Sequence, residues 1–133
     1  MRAKTWTGAM TIAAAVALVA AAVVTSAGAR EQVREIHLVA RGMAFYLDAD
    51  PTTANPTITL QGGERVRLVL RNETPGIDHD LAITSFGVGL TPVAVGHVAA
   101  FDLEVPDRPG RHEYVCRPHA VMMKGTVVVE AGL

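Results

Sequence analysis

An all-β fold, an antiparallel sandwich with Greek-key links, is what three features of this sequence predict. Apolar and polar residues alternate in several short runs, turns containing Gly or Pro separate the runs, and no convincing helix follows the N-terminal apolar segment. Side chains of a strand point to opposite faces in turn, so an alternating run reads as a strand with one buried face. About seven such runs at this spacing argue for two packed sheets.

The elements follow in chain order. Ile36, Leu38 and Ala40 alternate with Glu35, His37 and Val39. Thr57–Leu60 is short and β-branched. Val66, Leu68 and Leu70 alternate with Arg65, Arg67 and, past Val69, Arg71, which predicts a solvated arginine-bearing face rather than a docking patch. Asp80–Ile83, Phe101–Val105, Arg111–Cys116 and Gly125–Glu130 complete the set. Asp50-Pro51, Asn55-Pro56, Gly62-Gly63, Pro75-Gly76, Thr91-Pro92 and Pro109-Gly110 mark the turns between them. Ala94–Ala100 fits either state, because Val93, Val95 and Val98 suit a strand or a helix.

Ahead of the strands, Thr5 to Ala29 carries no charge, with Arg2 and Lys4 before it and the small residues Ala27-Gly28-Ala29 at its end. A basic start, an apolar middle and a small-residue end make an export signal. An uncleaved anchor helix is the alternative, since the run is long enough to cross about 30 Å of hydrocarbon. The weak hydrophobicity of alanine favours cleavage. The expected division is a signal peptide or membrane anchor over 1–29 and one domain over 30–133. That domain is expected in the periplasm or on the extracytoplasmic side of the cell membrane, touching the membrane only if the segment is uncleaved.

The chain has 12 basic and 13 acidic residues, and setting aside Arg2 and Lys4 leaves 10 against 13. A mildly acidic domain gives no support to nucleic-acid binding, which needs a basic face. It suits a soluble monomer that meets other proteins.

Cys116 is the single cysteine. In an oxidising compartment a lone thiol has no intramolecular partner and is open to oxidation. Ligation would hold, shield and deprotonate it; a small buried apolar residue is the alternative role. The segment Cys116-Arg117-Pro118-His119-Ala120-Val121-Met122-Met123-Lys124-Gly125 joins a strand end to a β-branched strand. Cys and His three residues apart reach one metal from the two ends of a tight turn that Pro118 stiffens. Thiolate, imidazole and thioether together suit copper. A second imidazole is expected from His79, on the loop after the alternating strand; a solvated loop histidine is its alternative. His37 and His112 fall within strands, and His97 follows a glycine.

Asn72, a Pro-Gly turn and His79, followed by Cys116-x-x-His119 and Met-x-Gly-x-Val, resemble the cupredoxins, and within them amicyanin, plastocyanin and pseudoazurin. The resemblance runs from about Glu35 to Glu130 and implies a type 1 (blue) centre with one copper ion per chain. His79, Cys116 and His119 would be its equatorial ligands. Met123-Lys124-Gly125 matches the family's axial spacing, so Met123 is the expected axial ligand, with Met122 as the alternative. Three residues separate His119 from Met123, where amicyanin has two and plastocyanin four. The binuclear copper centre of terminal oxidases needs a second cysteine and is excluded. Asn72 would fasten the His79 loop to the Cys116 strand, or serve as a turn residue only.

The function these features imply is single-electron transfer by Cu(II)/Cu(I) cycling, not catalysis, with redox proteins docking near His119. A copper carrier or assembly factor delivering the metal to an oxidase is the alternative. A nucleophilic Cys116 has no oxyanion-hole signal beside it, and a module that has lost copper does not account for the full ligand set.

Overall fold

Alternation becomes burial in β1 (Arg34–Arg41), where Ile36, Leu38 and Ala40 enter the core, and in β4 (Arg65–Asn72), where Val66, Leu68 and Leu70 do. The computed structural model describes residues 33–133; the expected signal or anchor segment and the boundary at residue 30 lie outside the described residues. β2 (Ala44–Leu47) and β7 (Val98–Glu104) flank the first pair, giving a four-stranded sheet in the order β2-β1-β4-β7. The second sheet combines β3 (Ile58–Gln61), β5 (Ala82–Ile83), β6 (Val88–Gly89), β8 (Gly110–Val115) and β9 (Lys124–Glu130) in the order β3-β9-β8-β5-β6. The result is a β-sandwich, as expected.

Among the described residues five strand pairings are antiparallel and two, β1–β4 and β3–β9, are parallel. Parallel neighbours need a crossover. For β1 and β4 the crossover runs through β3 of the other sheet, so the chain re-enters the first sheet in its original direction. Between the sheets, Leu38, Leu68, Leu70 and Leu103 belong to one core with Leu60, Tyr114, Val127 and Val129. Fully burying each such aliphatic side chain stabilises the fold by about 1.5–3 kcal/mol.

Two of the three β4 arginines, Arg67 and Arg71, are paired with acids on the solvent face. Arg67 bonds Asp102, its register partner on β7, at 2.8 Å, and Arg71 bonds Asp48 at 2.8 Å and Glu73 at 3.0 Å. Such exposed pairs contribute about 0–1 kcal/mol each. The stretch over residues 94–100 divides: Gly96 turns with φ +78, and strand begins at Val98.

Two strands escape the alternation rule. Ala44–Leu47 is apolar throughout, and Val88–Gly89 is two residues long. Strand β5 also starts later than its sequence suggests, because the Asp80 amide points at Cys116 Sγ instead of joining the ladder.

Candidate metal centre

Cys116 directly follows β8, and the chain makes one 3-10 turn over Arg117–His119 before β9 begins at Lys124. Pro118 fits that turn, since the early positions of a helical turn have no partner for an N–H. The loop closes on itself: the Cys116 amide donates to the Met123 carbonyl at 2.9 Å, and the His119 amide donates to the Cys116 carbonyl at 3.0 Å. Met122 and Met123 both donate to the His119 carbonyl, at 3.0 and 2.9 Å.

His79 is fixed from the opposite side. It exchanges backbone hydrogen bonds with Val93, at 3.2 and 2.7 Å. The buried Asn72 amide donates to the carbonyls of Ile77 and Val93, at 2.7 and 2.8 Å, and its oxygen accepts from the Thr74 amide at 2.8 Å. Asn72 therefore fastens the His79 loop to the Val93 segment. The link to the Cys116 strand comes from Asp80 instead, whose amide donates to Cys116 Sγ at 3.4 Å.

These supports bring three donors together. His79 Nδ1 lies 3.7 Å and His119 Nδ1 3.3 Å from Cys116 Sγ, and the three ligand atoms lie within 4.8 Å of one another. The imidazoles meet edge to face, 5.1 Å between centroids. His79 and Cys116 are fully buried, and His119 is half-buried. Burial, then the neighbouring His119, holds His79 below its ordinary value; the Gly42 carbonyl and nearby carboxylates partly offset this. Its Nε2 has no hydrogen bond of ordinary geometry. Burial also pushes the Cys116 thiol up, against the opposing pull of the Asp80 amide.

The donor set fits a metal. Metal–sulfur and metal–nitrogen bonds of about 2.3 and 2.0 Å, set at trigonal angles, put sulfur and nitrogen about 3.7 Å apart, and the two sulfur–nitrogen separations are 3.3 and 3.7 Å. A thiol proton could serve only one imidazole at a time, whereas a cation accepts both imidazoles and the thiolate together.

Met123 is fully buried in the same core cluster as Cys116, and Met122 is 59% exposed. The remaining histidines stand apart: His37 bonds Glu35, His97 bonds the Val95 carbonyl, and His112 bonds Ser85 and packs against Phe86. Two further supports of the site carry no motif in the sequence. Asp80 accepts two hydrogen bonds from Arg117, and Asn55, with φ +50, donates to the Met122 carbonyl at 3.1 Å. An acid directly after His79 and a base directly after Cys116 were the only local signal for the first.

No family model matches this sequence, and no curated protein matches it. Solved structures do. Reduced auracyanin from the photosynthetic bacterium Roseiflexus castenholzii is similar at a TM-score of 0.58 and 13% identity, covering 72% of this chain and 96% of that one. Rusticyanin from Thiobacillus ferrooxidans is similar at a TM-score of 0.56 and 20% identity, covering 72% and 76%. The McoA multicopper oxidase from Aquifex aeolicus is similar at a TM-score of 0.60 and 16% identity, over 74% of this chain but 27% of that one. With such neighbours and its sandwich of two sheets, the chain has the cupredoxin fold, and its His79, Cys116 and His119 cluster fits a type 1 copper site.

Proposed function

We propose that this protein is an exported single-electron carrier that holds one copper ion through His79, Cys116 and His119, with Met123 as the axial ligand. The observation that carries the reading is the convergence of a thiol and two imidazoles in a framework already closed by its own hydrogen bonds. Bound there, copper would supply one-electron Cu(II)/Cu(I) chemistry.

The chain's part is to keep the donors still. Cys116 gives up its proton on ligation, and the Asp80 amide steadies the resulting sulfur charge. His79 is held by Val93, with Asn72 bracing the loop, and His119 by its own turn. Donors that do not move between oxidation states leave little nuclear rearrangement to oppose electron transfer. Burial of Met123 supports it over Met122 as the axial donor.

His119 is the donor nearest solvent, so it is the exit for the electron. Val121, 90% exposed, and Met122 offer an apolar contact beside it, and brief redox encounters use small interfaces. Residues 1–29 would direct export, and the working form would be a periplasmic monomer meeting protein donors and acceptors.

Voltammetry of the copper-loaded protein tests this. A reversible one-electron wave, lost in Cys116→Ser, supports the reading. Cu(I) binding that persists without Cys116, with no reversible wave, would sink it in favour of copper carriage.

A further inference from the structure

Among the described residues Asp80 is the one buried carboxylate, and it stands between the two ligand-bearing segments. Its Oδ1 accepts the Arg117 backbone N–H at 2.7 Å, and its Oδ2 accepts Arg117 Nε–H at 2.7 Å. The guanidinium also donates to the Leu90 carbonyl, and Leu90 in turn donates to the Leu81 carbonyl at 2.8 Å. The Asp80 side chain is 4% exposed and that of Arg117 54%. The acid thus lies inside and the base caps it from the surface.

The sequence positions sharpen the point, because Asp80 follows His79 and Arg117 follows Cys116. A buried charge persists only when paired and hydrogen-bonded. Here the planar fork of arginine satisfies both carboxylate oxygens together with its own backbone amide, which the point charge of lysine would not reproduce. The same Asp80 places its amide on Cys116 Sγ, 3.4 Å away.

We propose that Asp80 and Arg117 are a positioning and charge-balancing pair for the metal centre: Asp80 anchors the Cys116 loop, and Arg117 cancels the negative charge that this anchor brings beside the sulfur. The proposal rests on the copper reading above. Its sign is fixed by electrostatics. Oxidised copper carries one more positive charge than reduced copper, so an uncancelled carboxylate favours the oxidised form and an uncancelled guanidinium favours the reduced form. A clasp that acted only by holding the loops together would give both single variants the same sign.

The test uses the full-length protein and the variants Asp80→Asn, Asp80→Ala, Arg117→Gln and the double variant Asp80→Asn/Arg117→Gln. Potentials of the copper forms are read first. Asp80→Asn raises the reduction potential, Arg117→Gln lowers it, each by about a tenfold change in the oxidised-to-reduced equilibrium (about 59 mV for one electron), and the double variant returns close to the parent. Shifts of the same sign, or none, overturn the charge-balancing role.

The second readout needs no metal: the rate at which a disulfide reagent modifies Cys116 in the metal-free, folded proteins. Asp80→Asn keeps an oxygen for the Arg117 amide and stays within about twofold of the parent, while Asp80→Ala reacts at least about tenfold faster. An Asp80→Ala rate equal to the parent overturns the anchoring role. If Asp80→Ala does not fold, hydrogen exchange at the Arg117 amide of the metal-free parent takes its place: protection of at least about tenfold over a free amide is expected, and an unprotected amide overturns the role. A parent protein with no blue copper would strike the electron-transfer reading, and the metal-free rates would still decide the anchor.

Discussion

Tyr114 closes over Gly125: the two are register partners on β8 and β9, and a Cβ built on Gly125 would overlap the Tyr114 ring. The ring is buried against Phe45, and its hydroxyl donates to the Pro56 carbonyl at 2.6 Å. The glycine that follows Met123 by two residues is therefore a packing requirement of this fold, set beside the ligand loop. Gly125→Ala should cost about 1–3 kcal/mol, as overpacking does. In a Tyr114→Ala background the added methyl should cost far less. Urea unfolding of the four proteins measures the coupling, and equal costs in both backgrounds would contradict it.

Asn72 carries three buried hydrogen bonds around the His79 loop. Asn72→Ala leaves two carbonyls and one amide without these partners, at about 1 kcal/mol each. A loss of roughly 2–3 kcal/mol is expected, with faster hydrogen exchange at Thr74 and His79. An unchanged unfolding midpoint would show that solvent replaces the side chain without cost.

Met122 and Met123 should separate cleanly. Met123→Ala removes a fully buried side chain and should cost about 2–5 kcal/mol in the metal-free protein. Met122→Ala lies on the surface and should stay within about 0.5 kcal/mol. With copper bound, Met123→Leu should raise the reduction potential by removing the thioether, and Met122→Leu should leave it in place. The opposite pattern would make Met122 the axial donor.

The metal-free fold should weaken in acid. Burial, then His119, keeps His79 below its ordinary 6.5. Well above that pH the histidine is neutral in both folded and unfolded chains and adds no pH dependence. As pH falls below about 6.5 the unfolded chain takes up a proton that the folded chain refuses, so stability is lost until the pH passes the lowered folded value. Thermal unfolding between pH 7 and pH 5 should show a falling Tm, with a shallower slope in His79→Gln. Identical slopes would remove His79 from this account.

The sandwich was legible because its central strands carry their burial pattern in the sequence. Ile36 to Ala40 and Val66 to Leu70 alternate, and their inward residues are the ones in the core. β2 and β6 were not legible, one lacking polar residues and the other being too short. Cys116, His119 and Met123 stood out because one loop holds all three. His79, 37 positions away from Cys116, was read from its place on the loop after the alternating strand, and the family resemblance agreed with that reading. The Asp80–Arg117 pair left only an acid after His79 and a base after Cys116 as a signal, and the Asn55 contact with Met122 left none: each joins residues far apart in sequence, 37 and 67 positions, and alternation carries no information about tertiary neighbours.

The most direct test of the central claim is the visible absorption spectrum of the protein after Cu(II) addition, compared with Cys116→Ser. The account predicts an intense blue thiolate-to-copper band that bleaches reversibly with ascorbate and is lost in the variant. A colourless protein, or a spectrum unchanged by the substitution, would contradict a type 1 centre at Cys116.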